Sequence, residues 1–215
     1  MKILVVIDMQ KDFIDGALGT PEAQAIVPNV KKKIEEFHNN GDGIVYTMDT
    51  HYKYNYFDTL EGKNLPIPHC IANSEGWFIP DELILDKNPR IIRKETFGSQ
   101  YLPSNIWVEF MRKEMPESIT VIGLCTDICV ISNVMILKAH YPNIPIIVDS
   151  SCCAGTTPES HTRALEAMKM CDIDIINDDV EADCPFQETM WSVLGDMTRA
   201  QAEEAIKYFK EKYEI

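Results

Sequence analysis

The sequence has no hydrophobic run long enough to cross a membrane and has few positive charges. Its apolar stretches all fall short of the ~20 consecutive residues that span a bilayer. Lys and Arg number 20 against 34 Asp and Glu, which gives a net charge of −14. Nucleic acids and anionic membranes bind basic surfaces, so this acidic balance argues against both as partners.

The sequence also lacks the paired cysteines of a disulfide-stabilised or thiol-redox protein. It has seven cysteines, an odd number, and none of them forms a CxxC pair. The first apolar run, in MKILVVIDMQ, stops at Asp8, too early for a signal peptide, and no small-residue cleavage site follows. We therefore expect free thiols in a reducing cytosol, and hence a cytoplasmic protein.

Short apolar runs alternate with helical patterns along the 215 residues, a length that suits one domain. The spacing of Ile26, Val30, Ile34 and Phe37 predicts one face of a helix, and Gly41 is a plausible end of that helix. Ser104 is a candidate N-cap for a helix over 104–114, and Thr157-Pro158 is a helix start. The predicted strands cover residues 3–7, 43–48, 90–93, 119–124, 144–148 and 173–176, and the remaining predicted helices cover 127–140, 158–170 and, capped by Thr198, 198–213.

This alternation predicts a single α/β domain over residues 1–215, with six parallel strands and helices on both faces of the sheet. One segment, residues 49–87, has no strong period and holds many aromatic, proline and polar residues. It is too long for a passive connection in a compact domain, which favours a functional loop.

Polar side chains follow four of the predicted strands. Asp8 follows the first, Asp49 the second and Lys94 the third, and the sequence CTDIC (Cys125 to Cys129) follows the strand over 119–124. Ligands of open α/β sheets bind beyond the carboxyl ends of the strands. An acid, a second acid, a lysine and a thiol are therefore expected at one edge of the sheet.

Cys129 is the candidate nucleophile among the two cysteines of CTDIC. Thr126 or Asp127 can cap the following helix, which places Cys129 in its first turn, where unpaired N–H groups should lower the pKa of the thiol. A neighbouring lysine would stabilise the thiolate, and a carboxylate could take its proton. Both sulfurs could instead be small buried hydrophobes.

The other polar and cysteine residues also have structural explanations that involve no catalysis. Asp8 could cap a turn at the end of its strand, and Lys94 could be a solvated charge. Cys152 and Cys153 follow the strand that we end at Asp149, and packing before the next helix explains them.

The loop over residues 49–87 carries a candidate metal site. Asp49 and His51 project from the same side of an extended segment, and His69 follows behind two prolines. Such a mixed nitrogen and oxygen donor set suits Zn, Fe or Mn. Hydrogen-bonded histidines in a polar loop are the alternative. The candidates for the further oxygen donor are Asn55, Asp58 and Glu61.

Five motifs together resemble the isochorismatase-like cysteine hydrolases, and within them the metal-containing nicotinamidases. They are DMQKDF, DTH, PHC, KETFGS and GLCTDICV, in that order over about residues 2–177. The resemblance implies a catalytic triad of Asp8, Lys94 and Cys129. It also implies a cis peptide just before Cys125 and an oxyanion hole formed by the amides of Cys125 and Cys129.

The family's metal site maps onto Asp49, His51 and His69. Its remaining protein ligand is His or Glu in different members. No histidine lies between His51 and His69 here, so Glu61 is our choice and Asp58 the reserve. The resemblance implies one divalent ion, with Zn the first choice and Fe or Mn the alternatives, and an assembly of identical subunits.

The activity implied by the resemblance is hydrolysis of nicotinamide to nicotinate and ammonia through a cysteine thioester, which would serve pyridine-nucleotide salvage. Phe13 would pack against the substrate ring. Ile128 and Leu65-Pro66 depart from the aromatic residues frequent in the family, and Trp77 is a candidate substitute. Two alternatives stay open: a related hydrolase acting on another amide or on isochorismate, and a non-catalytic α/β binding or thiol-redox protein.

Overall fold

The computed structural model describes residues 1–111 and 114–178, which contain a six-stranded, entirely parallel sheet. The central strands are buried at every position, because other elements cover both faces, as their continuous apolar runs predict. The predicted α/β sheet is therefore confirmed. In spatial order the strands are β3 (Arg90–Lys94), β2 (Gly43–Asp49), β1 (Ile3–Ile7), β4 (Ile119–Leu124), β5 (Ile146–Ala154) and β6 (Asp174–Ile176).

Two hydrophobic cores lie on opposite faces of the sheet. Alternate residues of β1 divide between them, with Ile3, Val5 and Ile7 in one core and Leu4 and Val6 in the other. The helices are α1 (Lys11–Ile14), α2 (Pro21–Asn40), α3 (Leu60–Asn64), α4 (Leu102–Ile106), α5 (Ile131–His140) and α6 (Pro158–Lys169), with π-helical turns at Trp107–Met111 and Thr126–Val130.

The predicted end of α2 and both predicted bounds of α6 are close to the observed ones. All four residues of the predicted α2 face are buried, and Gly41 ends the helix in the left-handed region with φ 71°. The Thr157 hydroxyl accepts a hydrogen bond from Ser160 N, so that Thr157 caps α6 as expected. Local sequence signals were sufficient here, because each helix carries both a cap and an apolar face.

The helix predicted over 104–114 is wrong at its start and in its regularity. α4 begins at Leu102, and Ser104 lies inside it, donating its hydroxyl hydrogen to Tyr101 O. Pro103 explains the earlier start, because its fixed φ and missing N–H suit a first helical turn. From Trp107 to Met111 the chain forms a π-helical turn instead of α-helix.

Strand β5 is longer than predicted and includes Cys152 and Cys153, so the strand does not end at Asp149. Polar residues can lie within it because they have partners. The buried Asp149 carboxylate lies 3.1 Å from Lys33 Nζ and accepts a hydrogen bond from Asn177. Both cysteines are buried, and Cys153 pairs with Gly123 of β4.

The segment predicted as a functional loop contains ordered short helices. The turns Tyr56–Asp58, Glu75–Trp77 and Asp81–Leu83 are 3₁₀-helical, and Thr59 caps α3 by accepting a hydrogen bond from Gly62 N. Every cysteine within the described residues is a free thiol. None of the described helices is both long and apolar enough to cross a membrane.

Residues 1–178 form one compact unit. The helix predicted over 198–213 lies outside the described residues. The single domain over residues 1–215 therefore stays a prediction.

We expect Gly123→Ala to destabilise the protein far more than Gly41→Ala. Both glycines have positive φ, but a Cβ at Gly123 would lie 2.0 Å from Ile7 O, whereas at Gly41 it would meet nothing within 4 Å. Left-handed strain alone costs about 1–3 kcal/mol, and a clash with a central strand should bring the cost at Gly123 above about 4 kcal/mol. Urea unfolding measures both, and equal losses would contradict the steric argument.

Candidate active site and metal centre

Four strand ends bring Asp8, Asp49, Lys94 and Cys129 together at one edge of the sheet. Asp8 directly follows β1, Asp49 ends β2, Lys94 ends β3, and Cys129 lies in the turn Thr126–Val130 after β4. The four side chains are buried, with between 0% and 5% of their surface exposed. The convergence predicted from a parallel sheet is therefore observed.

Lys94 lies between the acid and the thiol and contacts both. Its Nζ lies 2.6 Å from Asp8 Oδ2 and 3.6 Å from Cys129 Sγ. Burial opposes the charge of the amine, but Asp8, Cys129 and Asp49 outweigh that effect and hold the pKa of Lys94 above its usual range. Lys94 is thus a buried cation, which excludes the alternative of a solvated charge.

Asp8 is held in a conformation uncommon for a non-glycine residue, with φ 47°. Thr47 donates its hydroxyl hydrogen to Asp8 Oδ1 at 2.7 Å and accepts the Asp8 N–H. Burial raises the pKa of the Asp8 carboxyl, and the charge of Lys94 opposes the rise. The carboxylate is therefore a stronger proton acceptor than an exposed one would be.

Cys129 has a higher thiol pKa than expected, so the predicted decrease is wrong. Burial raises the pKa well above its usual range and the charge of Asp8 adds to the rise, while Lys94 opposes it. The predicted caps are also wrong, because the residue before the turn is Cys125, and no side chain caps it. The two predicted caps bind elsewhere: Asp127 accepts hydrogen bonds from Thr156, and the Thr126 hydroxyl lies 2.7 Å from His161 Nδ1. Burial therefore favours the neutral thiol over the thiolate.

The peptide between Leu124 and Cys125 is cis, as the family resemblance implies. Asn133, which the sequence interpretation missed, fixes the next part of the turn. Its side chain donates to Cys129 O at 2.7 Å and to Phe97 O, and accepts from Ser99 N. The sequence signal that could have identified it is its spacing, because Asn133 lies three residues after Val130 and four before Leu137, on the apolar face of the predicted helix.

Beside Asp8, Lys94 and Cys129 lies a cluster of four candidate metal ligands. One donor atom each from Asp49, His51, Glu61 and His69 lies within 4.8 Å of all the others. Glu61 comes from the first turn of α3, while Asp58, the reserve candidate, is exposed and outside this cluster. Asn55 is only partly buried and precedes the turn Tyr56–Asp58.

The spacing of these donors fits a small divalent cation. The Nε2 atom of His51 lies 3.0 Å from Asp49 Oδ2 and 3.6 Å from Glu61 Oε1. The Nε2 atom of His69 lies 3.5 Å and 3.4 Å from the same two oxygens. A tetrahedron with metal–ligand bonds of about 2.1 Å has edges of roughly 3.4 Å. The mixed nitrogen and oxygen set suits Zn, Fe or Mn.

The electrostatics of the cluster favour positive charge. Burial works against charged imidazoles, yet hydrogen bonds with Asp49 and Glu61 raise the pKa of His51 to about 9 and of His69 to about 10. The same contacts outweigh burial and lower the pKa of Glu61 to about 2. His69 Nδ1 lies 2.9 Å from Ile67 O, which suits an N–H at Nδ1 and leaves Nε2 for a metal.

A cavity of about 270 Å³ connects the two groups. Cys125 and Cys129 line one part of it and three of the candidate metal ligands line another. Trp77, the candidate pocket aromatic, does not line the cavity, because it is buried with its Nε1–H donated to Thr50; Phe97 lines it instead. The lining residues are Phe13, Leu18, Asp49, Glu61, Asn64, Leu65, His69, Phe97, Cys125, Ile128 and Cys129.

A parallel α/β sheet with a buried acid, lysine and thiol beside a histidine and carboxylate cluster is typical of a cysteine hydrolase with a metal centre. A family profile described as the isochorismatase domain matches residues 2–177. The chain belongs to the isochorismatase family, and it is a hydrolase.

Three similar proteins illustrate the range of that family. The chain is 28% identical to the pyrazinamidase of Pyrococcus horikoshii, solved in complex with zinc, with a TM-score of 0.70 over 81% of this chain and 98% of that one. It is 24% identical over 207 residues to a nicotinamidase of Schizosaccharomyces pombe, covering 81% and 92%. It is 26% identical to N-carbamoylsarcosine amidase from Thermoplasma acidophilum, with a TM-score of 0.67 over 81% and 94%.

Proposed function

We propose that this protein is a nicotinamidase, which hydrolyses nicotinamide to nicotinate and ammonia through a thioester on Cys129. The observation that carries the proposal is the position of Lys94 Nζ, 2.6 Å from Asp8 Oδ2 and 3.6 Å from Cys129 Sγ, beside a cavity that the metal-ligand cluster also lines. Similarity to a nicotinamidase and to a zinc-containing pyrazinamidase supports it.

In the proposed mechanism the buried thiol loses its proton only as it attacks the amide carbon. Asp8 takes that proton, and Lys94 stabilises the sulfur as negative charge develops. The backbone amides of Cys125 and Cys129 donate to the oxyanion of the tetrahedral intermediate. Collapse of this intermediate breaks the C–N bond, Asp8 returns the proton to the departing ammonia, and an acyl thioester remains.

Water completes the reaction by attacking the thioester carbon. Asp8, free again, takes a proton from that water and gives it to the sulfur as the C–S bond breaks. This releases nicotinic acid, which ionises to nicotinate, and restores the Cys129 thiol and the Asp8 carboxylate. Phe13 packs against the substrate ring; its ring centroid lies 5.5 Å from that of His69, at the wall of the cavity. A divalent metal held by Asp49, His51, Glu61 and His69 would supply a Lewis-acid position for the pyridine nitrogen and so orient the ring.

Ammonia release from a panel of amides tests the proposed substrate. Nicotinamide and pyrazinamide should be hydrolysed, and benzamide, which lacks the ring nitrogen, should be hydrolysed poorly. The second candidate function is hydrolysis of a different amide, favoured by the similarity to N-carbamoylsarcosine amidase and by Ile128 in the pocket wall. Faster hydrolysis of N-carbamoylsarcosine than of nicotinamide would favour this second function.

We expect loss of the metal to lower nicotinamide hydrolysis at least tenfold. His51→Ala removes one of four donors, so the purified variant should contain less than one tenth of the wild-type metal, measured by elemental analysis. A chelator should have the same effect on wild-type activity, and added Zn²⁺, Fe²⁺ or Mn²⁺ should reverse it.

His140→Ala is the matched control, because His140 is the last residue of α5 and does not belong to the cluster. This variant should keep its metal. Fully active protein with negligible metal would exclude the metal-dependent reaction. It would favour a metal-free hydrolase of the same family.

A further inference from the structure

We infer that Gln10, which directly precedes α1, and Asp12, in its first turn, are positioning residues that set the geometry of the metal-ligand cluster. The inference rests on the proposed function, since it takes Asp49 and His69 as metal ligands. Neither Gln10 nor Asp12 belongs to the cluster itself. Gln10 instead binds the backbone of Asp49, and Asp12 binds the backbone of the residue after His69.

Gln10 holds Asp49 through both atoms of its side-chain amide. Its Oε1 accepts the Asp49 N–H at 2.7 Å, and its Nε2 donates to Asp49 O at 2.9 Å and to Trp77 O at 2.8 Å. Two carbonyls on one side and an N–H on the other allow only one orientation of the amide. Gln10 is fully buried, so water cannot replace these bonds without rearrangement.

The Gln10 side chain pairs with the backbone of β2 beyond the point where β1 ends. The parallel pairing of β1 with β2 ends at Val6 and Tyr46, three residues before Asp49. Beyond that point Gln10, and not the backbone of β1, satisfies the N–H and C=O of Asp49. The carboxylate can therefore face the histidines through Oδ2 and Lys94, at 3.6 Å, through Oδ1.

Asp12 holds the other ligand segment. Its Oδ2 accepts the Cys70 N–H at 2.7 Å, directly after His69, and its Oδ1 accepts the Ala17 N–H. Cys70 has φ 45°, a conformation that a non-glycine residue keeps only when its surroundings impose it. The Asp12 carboxylate also packs so closely on Gly76 that a Cβ there would lie 2.0 Å from Oδ1.

The two contacts link the metal cluster to the catalytic triad through one short segment. Asp8, Gln10 and Asp12 all lie within five residues, so the segment that presents the proton acceptor also holds the two sides of the cluster. Loss of either contact should therefore displace a ligand without removing any donor atom. That separates these residues from the ligands, whose loss removes the donor itself.

Zn²⁺ affinity of the metal-stripped protein tests the inference directly. Gln10→Met keeps the side-chain volume and removes the three hydrogen bonds, and Asp12→Ala removes the acceptor of the Cys70 N–H. Each should raise the Zn²⁺ dissociation constant about 10- to 100-fold, measured by competition with a chromogenic chelator. Asp12→Asn keeps one oxygen acceptor and should restore most of the affinity.

Leu165→Ala is the control for general destabilisation, since Leu165 lies in the core on α6 and touches neither ligand segment. It should lower Tm and leave the Zn²⁺ dissociation constant within twofold of wild type. Asp12 is partly exposed, so Asp12→Ala should fold and can test the inference even if Gln10→Met does not fold.

Two results would overturn the inference: Zn²⁺ dissociation constants within twofold of wild type for both Gln10→Met and Asp12→Ala, or wild-type protein that binds no Zn²⁺. Ammonia release by the wild-type protein is measured in parallel. Tight Zn²⁺ binding without nicotinamide hydrolysis would contradict the proposed function alone, because the titration does not depend on turnover.

Discussion

Cys129→Ala should abolish ammonia release from nicotinamide, by on the order of 10⁴-fold or more in kcat. The substitution removes the sulfur that lies 3.6 Å from Lys94 Nζ, and the hydrogen bonds of the described residues give that amine no other thiol partner. The cavity and the candidate metal ligands are unaltered, so substrate should still bind. Steady-state kinetics, with circular dichroism to verify the fold, measures the effect.

Cys153→Ala is the matched control for this substitution. Cys153 is a buried cysteine of the same hydrophobic core, on β5, and it does not line the cavity. Both variants lose one buried sulfur, so they should show similar losses of stability. Only Cys129→Ala should lose activity, and a Cys129→Ala enzyme that keeps more than a hundredth of the wild-type rate would exclude Cys129 as the nucleophile.

The succession of strands along the chain and the residues that follow them could be predicted from the sequence because both depend on local pattern. Continuous apolar runs identify buried parallel strands, and the carboxyl ends of parallel strands meet at one edge. This predicts that Asp8, Asp49, Lys94 and Cys129 lie together, and the structure brings the other three into contact with Lys94. Their chemical roles rest on the proposed reaction.

The features that could not be predicted depend on partners distant in the sequence. Strand β5 continues past Asp149, whose carboxylate lies against Lys33 and accepts a hydrogen bond from Asn177. The thiol pKa of Cys129 depends on burial by several elements, and this burial exceeds the influence of the short turn that carries the residue. Periodicity within one segment contains neither kind of information.

The choice between Glu61 and Asp58 shows a third kind of limit. Both are acids of the same loop, and spacing alone could not separate them. Thr59 caps α3 and so turns the chain between them, leaving Asp58 exposed and Glu61 beside the histidines. A side-chain cap in an otherwise patternless segment is a usable signal, and it would have favoured Glu61.

Asp49 connects the candidate metal centre to the triad. One oxygen of its carboxylate lies near both histidines, and the other lies 3.6 Å from Lys94 Nζ. Lys94 therefore has two carboxylate neighbours, Asp8 at 2.6 Å and Asp49 further away. The closer of the two is the proton acceptor in the proposed mechanism, and the farther one is a candidate metal ligand.

Asp8→Asn should lower kcat/KM for nicotinamide by about 10²- to 10⁴-fold at neutral pH. The amide has the shape of the carboxylate and can keep the hydrogen bond from Thr47, but it cannot take the thiol proton. In the wild-type protein the charge of Asp8 also raises the pKa of the Cys129 thiol, so its removal should lower that pKa while Lys94 remains to stabilise the thiolate. Activity of the variant should consequently rise with pH, about tenfold per unit, until the thiolate fraction saturates.

Thr47→Val separates proton transfer from simple orientation of Asp8. It removes the hydrogen bond to Asp8 Oδ1 but leaves the carboxylate and its contact with Lys94, so it should cost far less activity and show no alkaline rescue. Because loss of one partner of a buried ion pair can cost about 3–5 kcal/mol, rates are compared at a temperature where urea unfolding shows each variant to be folded. An Asp8→Asn enzyme with the wild-type rate at neutral pH, or with a loss that does not change with pH, would show that Asp8 is not the acceptor of the thiol proton.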